Sequence, residues 1–148
     1  MTCVLGIDIG TTSTIGILLD TSKSKILKKI SFPVDLYSYE EGWAEEDPNQ
    51  WWENSKKIIR QLSNFAKKKN KKIVSIGTTG MLPALVILDN KGKVIRKSIQ
   101  QSDSRTNKQL KKIFKKKISQ SFIKNTKCGI NQQLIAPKLL WLKENENE

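Results

Sequence analysis

Apolar positions come in short, β-branched runs at the start of the chain and at helical spacing further on. Val4, Leu5, Ile7 and Ile9 make a first run, and Ile15 to Leu19 a second. Such runs predict strands rather than helices, with Gly10 to Ser13 as the tight turn between them. In the stretch from Lys25 to Phe32, Ile26, Ile30 and Phe32 share one face with Lys28, while Lys29 and Ser31 take the other. That pattern predicts a third, half-exposed strand. Three strands joined by short turns imply an antiparallel meander at one end of a sheet.

Helical spacing begins after the loop from Pro33 to Asp47. Asp47 suits an N-cap and Pro48 a first helical residue. Glu45, Glu46 and Asp47 lie near the positive end of that helix dipole. The helix is expected from Pro48 to about Lys69, with Trp51, Trp52, Ile58, Ile59, Leu62, Phe65 and Ala66 as its core-facing stripe. Ile73 to Gly77 then predicts a strand, Thr78 to Gly80 a polar turn, and Ala84 to Leu88 a further strand. Asp89 to Gly92 is a turn, and Val94 and Ile95 a short strand. Strand, helix and strand in that order imply a right-handed parallel crossover. Ser98 to Thr106 is polar. A helix is expected from about Arg105 to Lys117, with Leu110, Ile113, Phe114 and Ile118 buried. Cys128 to Gln133 is a loop, and Pro137 opens a last helix that runs into a polar ENENE tail. No repeat or linker interrupts the chain.

Composition narrows the chemistry. The 148 residues suit one modest domain, and 27 basic against 14 acidic residues leave a net charge of +13. Only Arg60, Arg96 and Arg105 are arginines, so the excess is lysine, gathered from Ala66 to Lys72 and from Lys111 to Lys117. Base reading favours arginine, and single-strand binding wants aromatics between the charges. Both are missing from these runs, so solvated helix faces are expected and nucleic acid is not. Histidine is absent, and Cys3 and Cys128 stand apart, which argues against a zinc site and any histidine-based triad. Two isolated thiols suit a reducing cytoplasm. Asp8 breaks the apolar start too early for a signal segment, and no run reaches the ~20 apolar residues of a membrane helix.

The candidate chemistry sits at the first turn. Gly10, Thr11, Thr12 and Ser13 bring successive backbone N–H groups and three hydroxyls into a small volume, a concavity that suits an anion. Asp8 is an acid in an otherwise apolar strand, where burial without compensation is unfavourable. At the strand end its carboxylate suits Mg²⁺, which takes one or two carboxylates, phosphate oxygens and waters. A plain hairpin with a polar tip is the simpler reading of the same stretch. No GKS or GKT follows, so this is not a Walker loop.

Four stretches in order resemble the FGGY carbohydrate kinases: GIDIGTTST (Gly6 to Thr14), GWAEEDPNQWW (Gly42 to Trp52), IGTTGMLPALVILD (Ile76 to Asp89) and SDSRT (Ser102 to Thr106). APKLLWLKENE (Ala136 to Glu146) resembles the helix that follows them. The resemblance implies an α/β fold of the actin-like, ribonuclease H-like kind, its mixed sheet opening with an antiparallel three-strand meander and flanked by helices. Residues 1–148 would be the N-terminal part of the first of two domains. The implied reaction is phosphoryl transfer from ATP, with Mg²⁺, to a sugar or polyol, a pentulose such as xylulose before others. By resemblance, Gly10, Thr11, Thr12 and Ser13 lie against the ATP phosphates and Asp8 near the metal. Met81, Leu82 and Pro83 lie at the sugar with Asp103 close by, and Arg105 pairs with a carboxylate to hold its loop.

The family's catalytic carboxylate belongs to the part that this sequence does not include, so no catalytic residue is assigned here. The expected partners are a small sugar and that remaining C-terminal portion, with a homodimer through uncovered surfaces as a further possibility. The chain departs from the family at Ile15, where Lys or Arg is common, and at Gln101, where xylulose-type members carry Trp. Leu82-Pro83 replaces the Arg-Glu pair of glycerol-type members, which disfavours glycerol. Such a fold without chemistry, a regulatory binding module, is the alternative reading.

Overall fold

The computed structural model describes residues 2–146, and of Lys116 the backbone alone. Contacts within the chain gather into two compact units: Met1–Leu36 with Asp47–Met81, and Tyr37–Glu46 with Leu82–Glu148.

The first unit is built on a four-stranded sheet of β1 (Thr2–Ile9), β2 (Ser13–Asp20), β3 (Lys25–Pro33) and β6 (Lys72–Gly80), in the order β3-β2-β1-β6. The predicted meander is there: β1 pairs antiparallel with β2, and β2 with β3. β1 also pairs in parallel with β6, which makes the sheet mixed. Helix α1 (Pro48–Lys68) connects the meander to β6. Its start is as expected, because the Asp47 side chain accepts a hydrogen bond from the Asn49 N–H and Pro48 follows directly.

One face of the sheet and one stripe of α1 form the core. Cys3, Leu5 and Ile7 alternate along β1 and meet Leu18, Ile58, Leu62 and Ala66. The helix lies so close that a Cβ on Gly16 would stand 2.1 Å from Ile58 Cγ2. Glycine is required there by space rather than by a positive φ.

Three expectations in this unit are corrected. Trp52 is 64% exposed, not core. The helical turn puts Ser55, Ile58, Leu62 and Ala66 inside and carries Trp52 about 75° from the middle of that stripe, where Lys56 lies over its ring. Ile26 is exposed while Leu27 packs on the core, because a register shift opposite Leu18 and Leu19 reverses the alternation at that end of β3. Thr78, Thr79 and Gly80 are not a turn but the last residues of β6, paired with Ile7, Asp8 and Ile9.

In the second unit β5 (Glu45–Glu46) pairs antiparallel with β7 (Ser98–Ile99), in a small sheet of order β4-β5-β7 whose first strand is β4 (Leu36–Tyr37). Leu85 bridges Ile99, and Leu88 bridges Val94 around the predicted turn. The Asp89 side chain accepts from the N–H groups of Lys91 and Lys93 there. The polar stretch after Lys97 is among the most buried: Ser98, Ile99, Asp103 and Thr106 are all inaccessible.

The expected helix from Arg105 is two helices, α2 (Asn107–Ile113) and α3 (Lys116–Thr126). The chain leaves helical geometry at Phe114, whose ring meets Phe122 edge-on at 5.1 Å. Ile118 is therefore not in a common buried stripe and is 52% exposed. Helix α4 (Ile135–Asn145) starts two residues before Pro137. Gln109 and Lys112 of α2 both donate to Glu144 of α4, at 2.8 and 2.5 Å. Asn147 and Glu148 of the expected polar tail lie outside the described residues.

Candidate functional site

The turn between β1 and β2 is fixed from both sides. Gly10 N–H donates to Ser13 O at 3.0 Å, and the Thr12 carbonyl accepts from Val34 N–H at 3.0 Å. A Cβ on Gly10 would stand 3.2 Å from Ser13 O, so closeness of the turn, not a left-handed φ, favours glycine there. Among the described residues, no backbone carbonyl accepts from the amides of Thr11 and Thr12. Thr12 is exposed, and Thr11 and Ser13 are half-buried. The turn thus holds open amides and hydroxyls in a set geometry, as an anion-binding concavity requires.

Asp8 corrects the reading that made it a buried acid. Leu5 and Ile7 point into the core, and alternation turns Asp8 to the opposite, open face, where it is exposed. Across the parallel pair it lies beside Thr79. It needs no compensating charge to be tolerated, and it remains available. Among the described residues no three Asp, Glu, His or Cys side chains gather to cage a metal. One carboxylate with neighbouring hydroxyls fits Mg²⁺ carried in on phosphate oxygens, since that ion keeps most of its waters. The open amides of Thr11 and Thr12 fit the phosphates themselves.

Met81 belongs to the same end of the sheet. Its N–H donates to Ile9 O at 2.9 Å, so the C-terminal ends of the parallel strands β1 and β6 are tied together. Gly80 permits this approach, because a Cβ there would meet Ile9 O at 2.9 Å. Ligands of open α/β sheets bind outside the carboxyl ends of parallel strands, where this turn and Met81 both stand. Leu82, in the second unit, is 74% exposed and joined to Pro83 by a cis peptide bond.

Asp103 is placed differently from an exposed sugar contact. It is inaccessible, its Oδ2 accepts from Ala44 N–H at 2.7 Å, and both oxygens accept from Arg105. Arg105 also pairs with Glu45 at 2.7 Å and lies 3.7 Å over the Trp43 ring and 4.9 Å from that of Trp141. The expected pairing of Arg105 with a carboxylate is therefore present, twice over. Gly42 accepts from Ser104 N–H at 2.8 Å, with a φ of +78° that favours glycine, and a Cβ there would strike the Ser104 hydroxyl. The GWAEED and SDSR stretches are thus two sides of one fastener.

Sequence reasoning missed two members of that fastener. Arg96 pairs with Glu45 and, at 2.9 Å, with Glu146. Lys138 is fully buried and donates to Gln100 O at 2.6 Å. Burial holds its amine below the usual lysine range, against the pull of Asp103. Nothing in the pattern PKLLWL marks its lysine as interior, since lysine is normally solvated.

A mixed sheet that opens with an antiparallel meander and gains a parallel neighbour through a helix is an α/β arrangement of the actin-like, ribonuclease H-like class. The sequence profile of the FGGY family of carbohydrate kinases, N-terminal domain, matches residues 3–148. The chain belongs to that family. It is 31% identical over 148 residues to xylulose kinase from Staphylococcus epidermidis, covering 98% of this chain and 28% of that protein. It is 30% identical over 145 residues to glycerol kinase from Francisella philomiragia, covering 96% and 29%. The crystal structure of xylulose kinase from Rhodospirillum rubrum superposes with a TM-score of 0.92 at 41% identity, over 98% of this chain and 30% of that one. The chain spans under a third of the length of these relatives.

Proposed function

We propose that this chain is the phosphate- and sugar-contacting portion of an ATP-dependent carbohydrate kinase that phosphorylates a ketopentose such as xylulose. The observation that carries this is the Gly10–Ser13 turn, with unengaged Thr11 and Thr12 amides beside the exposed Asp8 carboxylate. Gly10, Thr11, Thr12 and Ser13 contact the nucleotide phosphates, and Asp8 orients the waters of a bound Mg²⁺. The metal supplies charge neutralisation of the phosphates. Everything else asked of these residues is positioning, which dominates catalysis of phosphoryl transfer.

Met81, Leu82 and Pro83 form the sugar-side wall, an apolar surface against one face of a sugar. Leu82 and Pro83 offer no charged pair of the glycerol type, which supports a ketopentose over glycerol. Asp103 acts from behind: it fixes Arg105 and Ala44, and through them the loops of the sugar side.

The test uses a longer kinase polypeptide, made by joining this chain to the remainder of the Staphylococcus epidermidis xylulose kinase. A coupled assay is expected to show xylulose-dependent ADP formation, well above that with glycerol. Asp8→Asn is expected to lower it by about 10–100-fold, as loss of a carboxylate that orients a metal's ligands does. Unchanged turnover in Asp8→Asn would remove the role given to Asp8, and no sugar-dependent turnover would remove the proposed function.

A further inference from the structure

Beside its core stripe, α1 carries a second one. Gln61, Asn64, Phe65 and Lys68 recur at helical spacing and so share a face. Edge strand β3 lies next to that face. Its Lys28 and Ile30 pair with Leu18 and Gly16, which both look toward α1, and so they point the same way. These six side chains line a groove of about 260 Å³. The groove lies on the α1 side of the sheet, whereas Asp8 lies on the opposite face. Through Leu18 it stands level with Leu5, four residues or about 13 Å back from Ile9 along β1. The Gly10–Ser13 turn has no part in it.

The lining is a set of donors without partners. Residues 21–34 and 54–72 contain no Asp or Glu, so the groove is cationic and neutral only. Among the described residues, Lys28 and Lys68 form no ion pair, and the side-chain amides of Gln61 and Asn64 make no hydrogen bond. The Lys28 ammonium is held over the Phe65 ring, 5.4 Å from its centre. Two ammonium groups suit a phosphate, which lysine binds as a point charge. Amides both donate and accept, as hydroxyls do, and Phe65 with Ile30 gives C–H groups an apolar floor. The volume is below the roughly 300–1,000 Å³ of pockets for drug-sized ligands, so the occupant is small. A nucleobase is not favoured. Phe65 and Phe32 pack on the core and lie under Lys28 and Lys57, which leaves no ring face for stacking.

We infer that the groove between β3 and α1 is a second anion site, which takes a small polyol phosphate. Its phosphate lies with Lys28 and Lys68, and its hydroxyls meet Gln61 and Asn64. The site stands whether or not the phosphate turn serves a kinase.

The test is a titration of the isotope-labelled chain with ribose phosphate near physiological salt, read from backbone amide spectra. The amides of Lys28, Ile30, Asn64 and Lys68 are expected to shift saturably. Inorganic phosphate is expected to bind there about tenfold more weakly, and ribose without phosphate to leave them unmoved. Lys28→Gln with Lys68→Gln is expected to weaken binding about tenfold or more, as loss of bonds from charged groups does. Lys108→Gln with Lys111→Gln, in α2, removes the same charge and is expected to change it less than about twofold, since exposed charges beyond a Debye length are screened. Gln61→Ala with Asn64→Ala is expected to abolish the preference for ribose phosphate over inorganic phosphate. All six positions are exposed, so melting temperatures are expected to stay within about 2 °C of the unaltered chain. If the Lys28 pair melts lower, Lys68→Gln alone takes its place, with about a threefold loss expected.

Equal losses in the two lysine pairs would show diffuse attraction by net charge and overturn the inference. So would shifts confined to Gly10–Ser13, which would send the ligand to the phosphate turn. Inorganic phosphate binding as tightly as ribose phosphate would remove the polyol part and with it the assigned ligand. A single-stranded oligonucleotide that shifts the same amides at lower concentration would give the groove to a polymer, and the inference would fall.

Discussion

Single residues here are placed by what their polar atoms can reach. Asp8 is left to solvent by the alternation of β1, and it stands with open amides rather than inside hydrocarbon. Lys138 is the reverse case. Its amine is carried into the second unit and satisfied by the Gln100 carbonyl, with Ile99 O a more distant 3.5 Å away. Lys138→Met keeps the volume and removes the buried charge, but it takes the ammonium's bonds from carbonyls that then keep only the Leu85 and Asp103 amides. Desolvation of the amine and loss of its bonds oppose each other, and a hydrogen bond from a charged group contributes about 1.5–3 kcal/mol. A net loss of stability within that range is expected from urea unfolding. A gain would show that desolvation of the amine dominates.

At the scale of elements, what was legible in the sequence had a local cause. The three-strand meander, the Gly10 turn, the Asp47-Pro48 helix start and the Asp89–Gly92 turn are each written in a few neighbouring residues, and each is found, whereas the strands expected from Ala84 to Leu88 and at Val94 and Ile95 are reduced to single bridges, Leu85 to Ile99 and Leu88 to Val94. What was not legible depends on partners far along the chain. Ser98 to Thr106 looks like an exposed loop because it is polar, yet Ala44, Arg105 and Lys138 satisfy its polar groups and so permit its burial. The half-turn error at Ile26 comes from a bulge that no periodicity shows. Trp52 looked apolar enough for the core, but helix phase decides the face. The four stretches that carry the resemblance include the Gly10–Ser13 turn and both residues of the Gly42–Ser104 contact, though not the contact itself. They could not say that Asp103 would be sealed behind Arg105. Element packing also yields a prediction at Gly16. Gly16→Val would drive a branched side chain into Ile58 and lift α1 from β2. Overpacking of this kind costs typically 1–3 kcal/mol, and the shift of the urea midpoint measures it. A midpoint equal to that of the unaltered chain would mean that the helix does not pack against β2 as described.

At the scale of the whole molecule, charge sets the response to acid. The Asp20 carboxylate is buried and accepts from Lys71 Nζ at 2.6 Å and from the Ser22 hydroxyl and N–H. The bond from Lys71, then that from the Ser22 hydroxyl, hold it well below the usual carboxylate range. A carboxylate depressed on folding contributes stability that is complete above its unfolded pKa, about 3.9, and is lost as pH falls from there toward the folded value. The melting temperature of the chain is therefore expected to fall steeply below about pH 4, and Asp20→Asn to be less stable near neutrality with a shallower acid limb. Identical acid limbs in the two proteins would exclude Asp20 as the cause. The excess lysine acts on every anion without selection, so a phosphate site has to be shown against that background. Site-resolved amide spectra of the labelled chain, titrated with Mg·ATP near physiological salt, do this most directly. The amides of Gly10, Thr11, Thr12 and Ser13 are expected to shift saturably, and Asp8→Asn to weaken the dependence on Mg²⁺. Shifts confined to the lysine-rich helices, with those four amides unmoved, would contradict the account.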